Sequence, residues 1–263
     1  MDRLLLIIAA LLFSTGGAAI KACSLPAWEV AGLRSGVAAV TLVLWFPRAL
    51  RFDWQIALTG SAYAATLVLY VIANKLTTSA NAIFLQSTSP FYLLLLGPWV
   101  LHEPIRRIHL LLIAGVGCGG ILLLLGSEAV LSTAPDPARG NIVAACSGVT
   151  WALAVTGFRW LARARDQSDH AMSAVIFGNL LALATCLPFA APFAAIHLRD
   201  GIILLYLGVF QVGFAYVALT RAVRRVTALE AAVLLLIEPV FNPIWSWLFH
   251  GERPSNLALS GGV

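Results

Sequence analysis

Charged side chains are scarce in this chain. Asp, Glu, Lys and Arg make up 11% of its 263 residues, where a soluble domain carries about 25% because its surface must meet water. The shortage excludes a soluble fold, and the polar segments that remain are too short for a separate catalytic or nucleic-acid-binding module. Metal and disulfide chemistry are missing too. The four cysteines show no C-x-x-C or Cys/His spacing, so neither a disulfide framework nor a zinc site is indicated. Cys118, Cys146 and Cys186 lie inside apolar stretches, where small core residues are expected. No phosphate loop and no nucleophile–base pair is present, which leaves an ATP-driven pump without support. His102, His109, His170, His197 and His250 are scattered rather than clustered, which argues against a membrane-embedded enzyme. No cofactor and no metal are expected.

Apolar sequence is abundant instead. Sixty per cent of residues are hydrophobic and the mean hydropathy is +0.89. Runs long enough to cross a bilayer fall near 4–20, 27–46, 55–73, 78–100, 108–126, 141–161, 171–190, 201–220 and 227–249, and a tenth begins near 256. Turn and charge signals separate them, as at Ser24-Leu25-Pro26 and from His102 to Arg107. The first run follows Arg3 and precedes small residues, the outline of a secretory signal. It is read as an uncleaved span, because removal would spoil the pairing of halves that follows.

The chain repeats itself. LTTSANAIFLQSTSPFYLLLLGPWVLHEP, from Leu76 to Pro104, aligns without a gap on RVTALEAAVLLLIEPVFNPIWSWLFHGER, from Arg225 to Arg253, at an offset of 149. Pro90 falls on Pro239 and Glu103 on Glu252. Residues 1–130 are thus read as one five-helix repeat, 131–140 as a linker and 141–263 as a second repeat whose tenth helix is truncated. An odd number of spans per half inverts the second half relative to the first. The expected fold is all-α and membrane-integral, with ten transmembrane helices as two inverted five-helix repeats around a central cavity.

Basic residues set the orientation. With the N-terminus in the cytoplasm, eleven Lys and Arg face inward, among them Arg48, Arg51, Arg106, Arg107, Arg159 and Arg224, and five face outward. That asymmetry favours a cytoplasmic N-terminus in an inner, or plasma, membrane. The net charge of +5 is a topology signal and does not point to nucleic acid.

These features resemble the drug/metabolite transporter superfamily in its ten-helix EamA-type branch. The resemblance rests on Glu238-Pro239-Val240-Phe241 and its counterpart Ser89-Pro90-Phe91, on the endings Leu101-His102-Glu103 and His250-Gly251-Glu252, and on Arg34 in the second span. It implies efflux of small metabolites by a secondary transporter, and among such exporters the chain is most similar to those for aromatic amino acids. Export of another small metabolite or a drug is the alternative; a channel or an embedded enzyme ranks lower.

Ionisable residues inside a span are functional candidates by default. Arg34, Glu230 and Glu238 qualify. Glu238 lies near mid-span before Pro239, which frees the carbonyl of Leu235. An ion pair of Arg34 with Glu238 and a transport role for Glu238, as substrate acceptor or proton carrier, carry equal weight. Glu230 is expected to pair locally with Arg224 or Arg225. Thr227, Glu230, Glu238, Phe241, Asn242, Trp245 and Phe249 share one helical face, and Thr78, Asn81, Thr88, Ser89 and Tyr92 another, with Gln86 at its edge. Both faces should look inward. An amino acid substrate, as a zwitterion, needs a cation and an acceptor. Lys75 is the candidate cation, with a snorkelling interface lysine as its equal alternative, and Glu238 is the acceptor, with Asn81 and Ser89 as further candidates. Tyr92, Trp151 and Trp245, with Tyr70 and Tyr216, are candidates for an aromatic wall. Pro90 and Pro239 are candidate hinges. The expected partners are a small-molecule substrate and the lipid bilayer.

Overall fold

The structure, a computed structural model, describes residues 1–105, 110, 111, 114, 115, 133–164 and 169–252. Eight helices long and apolar enough to cross a membrane stand in these residues. They are α1 (Asp2–Ala22), α2 (Ala27–Trp45), α3 (Trp54–Leu76), α4 (Ser79–Leu101), α5 (Pro137–Arg163), α6 (His170–Ala190), α7 (Leu198–Ala222) and α8 (Ala228–His250). They follow eight of the expected runs. The expected spans near 108–126 and from 256 onward lie almost wholly outside the described residues.

Polar side chains start the helices. Asp53 accepts the N–H of Ile56 at 2.8 Å to begin α3, and Thr78 and Thr227 accept from Asn81 and Glu230, both at 3.2 Å, to begin α4 and α8. One start differs from expectation. Pro135-Asp136-Pro137 reads as a linker, yet α5 begins at Pro137 rather than near 141. Asp136 accepts the N–H of Arg139 at 3.2 Å, and a proline with no N–H of its own suits the first helical position.

Four helices are not regular throughout. α1 is interrupted at Thr15, α4 at Ser87–Thr88 and α8 at Leu235–Leu236. α7 carries a π-helical stretch over Leu207–Phe214, and α4 ends in another over Gly97–Leu101. The interruptions of α4 and α8 sit before Pro90 and Pro239, which cannot donate to the preceding turn. The turn closes on other donors, however. The Leu235 carbonyl, expected to be free, accepts the N–H of Glu238 at 2.9 Å.

α3 packs on α5 and α6, while α7 packs on α1 and α2. Small residues bring the backbones together. A Cβ placed on Gly178 of α6 would lie 2.6 Å from the Gly60 carbonyl of α3, and one on Gly208 of α7 would lie 2.9 Å from the Arg34 carbonyl of α2. Leu44, Trp54, Leu58, Leu95, Leu205 and Leu248 stand outward. Buried Arg34, Asn74, Asn81, Asn179 and Asn242 occupy the interior. A helix set with apolar side chains outside and polar ones within is what hydrocarbon surroundings require.

Candidate functional site

A cavity of about 30 Å³ lies at the centre of the helix set. Phe13 of α1, Arg34 of α2, Thr66, Leu67 and Tyr70 of α3, Gln86 of α4, Trp151 of α5, Gln211, Val212 and Tyr216 of α7, and Glu238 of α8 line it. Several of these residues are placed by the irregular turns. Phe13 precedes the interruption at Thr15, Gln86 precedes that at Ser87–Thr88, Glu238 follows that at Leu235–Leu236, and Gln211 sits within the π-helical stretch. Irregular backbone at membrane depth is tolerated where it lines a cavity, and π-helical turns are frequent at functional sites.

Arg34 is 2% exposed. Its Nη2 donates to the Leu67 carbonyl at 2.9 Å and its Nη1 approaches Gln211 Oε1 at 3.5 Å, a long contact that contributes little. Its Nε has no acceptor among the described residues. Glu238 lines the same cavity in the first turn of the second segment of α8, where a helix N-terminus favours negative charge. No ion pair joins Arg34 to Glu238 among the described residues. A buried cation thus rests on a carbonyl and an amide, and a carboxylate shares its cavity without neutralising it by direct contact. Burying charge in this way is costly unless a partner arrives.

Aromatic rings close the rest of the wall. Tyr216 meets Phe13 at 5.0 Å, Trp151 at 6.1 Å, Tyr63 at 4.6 Å and Phe158 at 6.2 Å between ring centroids. Phe13 and Trp151 meet edge to face at 6.3 Å. The Tyr70 hydroxyl accepts from Asn242 Nδ2 at 3.1 Å, which ties α3 to α8 beside the cavity.

The structure brings together Arg34, Trp151 and Glu238 of the sequence-derived candidates, with Tyr70 and Tyr216. The others lie elsewhere. Lys75 Nζ donates to the Cys23 carbonyl at 2.6 Å at the end of α3. Asn81 is buried and donates to Thr77 Oγ1 at 3.3 Å. Ser89 and Pro90 are buried in α4, and Tyr92 packs against the apolar core. Trp245 Nε1 donates to Ser14 Oγ at 3.1 Å beside a separate groove. Pro239 is buried in α8. Glu230 pairs with Arg3 at 2.8 Å rather than with Arg224 or Arg225. Phe241 and Phe249 stand outward while Pro239, Asn242 and Ser246 are buried, so the inward stripe of Ile237–His250 follows those positions rather than the expected face. Sequence reasoning missed Phe13, Thr66 and Gln211. A glutamine in the middle of an apolar span was the available signal for the last.

Eight helices long and apolar enough to cross a membrane, three of them interrupted beside a charged and aromatic cavity, make the described residues those of a multi-span membrane protein. Residues 3–126 and 138–263 match the EamA-like transporter family, and the chain belongs to it. It is 29% identical to the pseudopaline exporter CntI of Pseudomonas aeruginosa, in strains UCBPP-PA14 and PAO1, over 99% of this chain and 91% of the relative. A protein of known crystal structure superposes with a TM-score of 0.74 at 21% identity, over 99% of this chain and 94% of its own. That likeness concerns the fold.

The unpaired state of Arg34 makes a prediction about stability. Replacing a buried charge that has no countercharge in direct contact among the described residues with an apolar side chain of similar length removes its desolvation penalty, on the order of several kcal/mol per ion. Arg34→Met should therefore melt at or above the wild-type temperature in detergent, by tryptophan fluorescence or calorimetry. A fall of several degrees would mean that Arg34 locks helices together.

Proposed function

We propose that the protein is a secondary transporter that exports small zwitterionic metabolites, most readily amino acids with aromatic side chains, by alternating access. The observation that carries this reading is the pair of opposite charges on one cavity, Arg34 and Glu238, left without a direct bond to each other. A carboxylate would take the guanidinium, whose Nε lacks an acceptor among the described residues, and an ammonium would take Glu238. The edge-to-face rings of Phe13, Trp151 and Tyr216 would receive a flat side chain. In this reading Arg34 takes the part that the sequence suggests for Lys75. Similarity to a pseudopaline exporter supports export of a small metabolite without selecting amino acids.

The cavity of about 30 Å³ has room for about two waters, whereas small-molecule sites span about 300–1,000 Å³. Substrate entry therefore requires helices to move. The interruptions before Pro90 and Pro239 are the natural hinges. Two inverted five-helix repeats are supported by the matched interruptions in α4 and α8 and by the packing of α3 on α5 and α6 against that of α7 on α1 and α2. A cytoplasmic N-terminus in the inner membrane follows from the Lys and Arg asymmetry. Single cysteines at Pro135 and Arg224, in a chain without its own four, should then react oppositely with an impermeant thiol reagent on intact cells, Pro135 labelled and Arg224 protected. Equal labelling would overturn the ten-span topology.

The function itself is tested in liposomes with a panel of amino acids, comparing wild type and Glu238→Gln for exchange of labelled substrate and for flux driven by a proton gradient. Aromatic amino acids should exchange fastest in the wild type. Loss of both activities in a folded Glu238→Gln protein identifies a binding residue, and loss of driven flux alone identifies a proton carrier. Unchanged activity would remove Glu238 from the transport cycle.

A further inference from the structure

Two buried carboxylates outside the cavity are held in matching ways. Glu103, just past the end of α4, accepts the N–H of Ala228 at the start of α8 at 2.9 Å. Glu252, just past the end of α8, accepts the N–H of Ser79 at the start of α4 at 3.1 Å. The offset of 149 that relates Glu103 to Glu252 also relates Ser79 to Ala228 and the capping Thr78 to Thr227. Each carboxylate also takes a cation from another helix. Arg159 of α5 donates to Glu103 Oε1 at 2.8 Å, and Lys21 of α1 meets Glu252 Oε1 at 2.9 Å. Both cations hold carbonyls just ahead of the capped helix: Arg159 bonds those of Val223 and Arg224, each at 2.7 Å, and Lys21 bonds Thr77 at 2.9 Å as well as Thr133. Both glutamates are 7% exposed.

These clasps stand at opposite ends of the α4–α8 pair. Ser79 and Glu103 are separated by the full length of α4, 23 residues or about 34 Å of helix. The cavity lies between them, flanked by the interruptions of the same two helices. Ordinary caps would not need a second helix's buried cation at each end. A pair of closures built on corresponding carboxylates around a cavity too small for its cargo is the arrangement that alternating access requires.

We propose that the clasps are the two gates of the transporter: Glu252–Lys21–Ser79 closes one face, Glu103–Arg159–Ala228 closes the other, and they release in turn. This rests on the alternating-access reading but on no particular substrate. Neutralising one carboxylate weakens one gate and shifts the population toward the state open on that face.

The test uses the full chain with its four cysteines replaced, Thr66→Cys as a reporter in the cavity, and an impermeant thiol reagent applied to intact cells or to inside-out vesicles. Glu252→Gln should speed labelling by about tenfold or more from the face that carries Glu252 and slow it from the other, and Glu103→Gln should do the reverse. Lys21→Met and Arg159→Met repeat the contrast from the cation side, so misfolding of one variant does not decide the result. Equal effects of Glu103→Gln and Glu252→Gln on both faces, or stability losses without any change in sidedness, would overturn the gates. No substrate is used, so that outcome would leave the zwitterion reading standing, and failure of amino acids in liposomes would leave the gates standing.

Discussion

Hydrocarbon surroundings supply no hydrogen-bond partners, and the rest of the structure follows from this constraint. Every helix must satisfy its own backbone, so a broken turn survives only where protein or a cavity receives it. The interruptions at Thr15, Ser87–Thr88 and Leu235–Leu236 all occur where helices converge on the central space. The same constraint drives the asparagines and glutamines inward and makes an unneutralised guanidinium at Arg34 conspicuous. At the surface of a soluble protein such a residue would call for no explanation; buried beside a cavity, it calls for a ligand.

Glu103, Glu252, Arg34 and Glu238 fall into two kinds. Glu103 and Glu252 each have a cation and a backbone N–H, so their burial is offset within the protein. Arg34 and Glu238 have no such offset among the described residues. Groups with both a cation and a backbone N–H hold helix ends, and groups without them among the described residues face the space between. In the proposed cycle this difference separates closure from recognition, so a small change in helix position alters access without rebuilding the recognition surface.

Hydropathy made the eight described spans legible, since hydrocarbon thickness sets their length, and the shared register of Pro90 with Pro239 and of Glu103 with Glu252 stands in the sequence itself. Trp151, Arg34 and Glu238 stood out as polar or aromatic residues at depth. The errors have specific causes. Lys75 looked like a substrate cation because it adjoins a polar stripe, but its chain reaches the Cys23 carbonyl at the helix end. A face drawn at a constant angle along α8 placed Phe249 inward, whereas the inward stripe of its second segment runs through Pro239, Asn242 and Ser246 and leaves Phe249 exposed. The match between Glu103 and Ala228 required knowing which helix ends meet, which no local pattern contains.

The central claim is that Arg34 and Glu238 recognise opposite ends of one zwitterion. Calorimetric binding of an aromatic amino acid, its decarboxylated amine and its deaminated acid to purified wild type, Arg34→Met and Glu238→Gln tests it most directly. The account predicts tightest binding of the amino acid, an amine whose weaker binding is insensitive to Arg34→Met, and an acid insensitive to Glu238→Gln. Equal affinity of the wild type for all three compounds, or the same loss for each ligand in both variants, would contradict it.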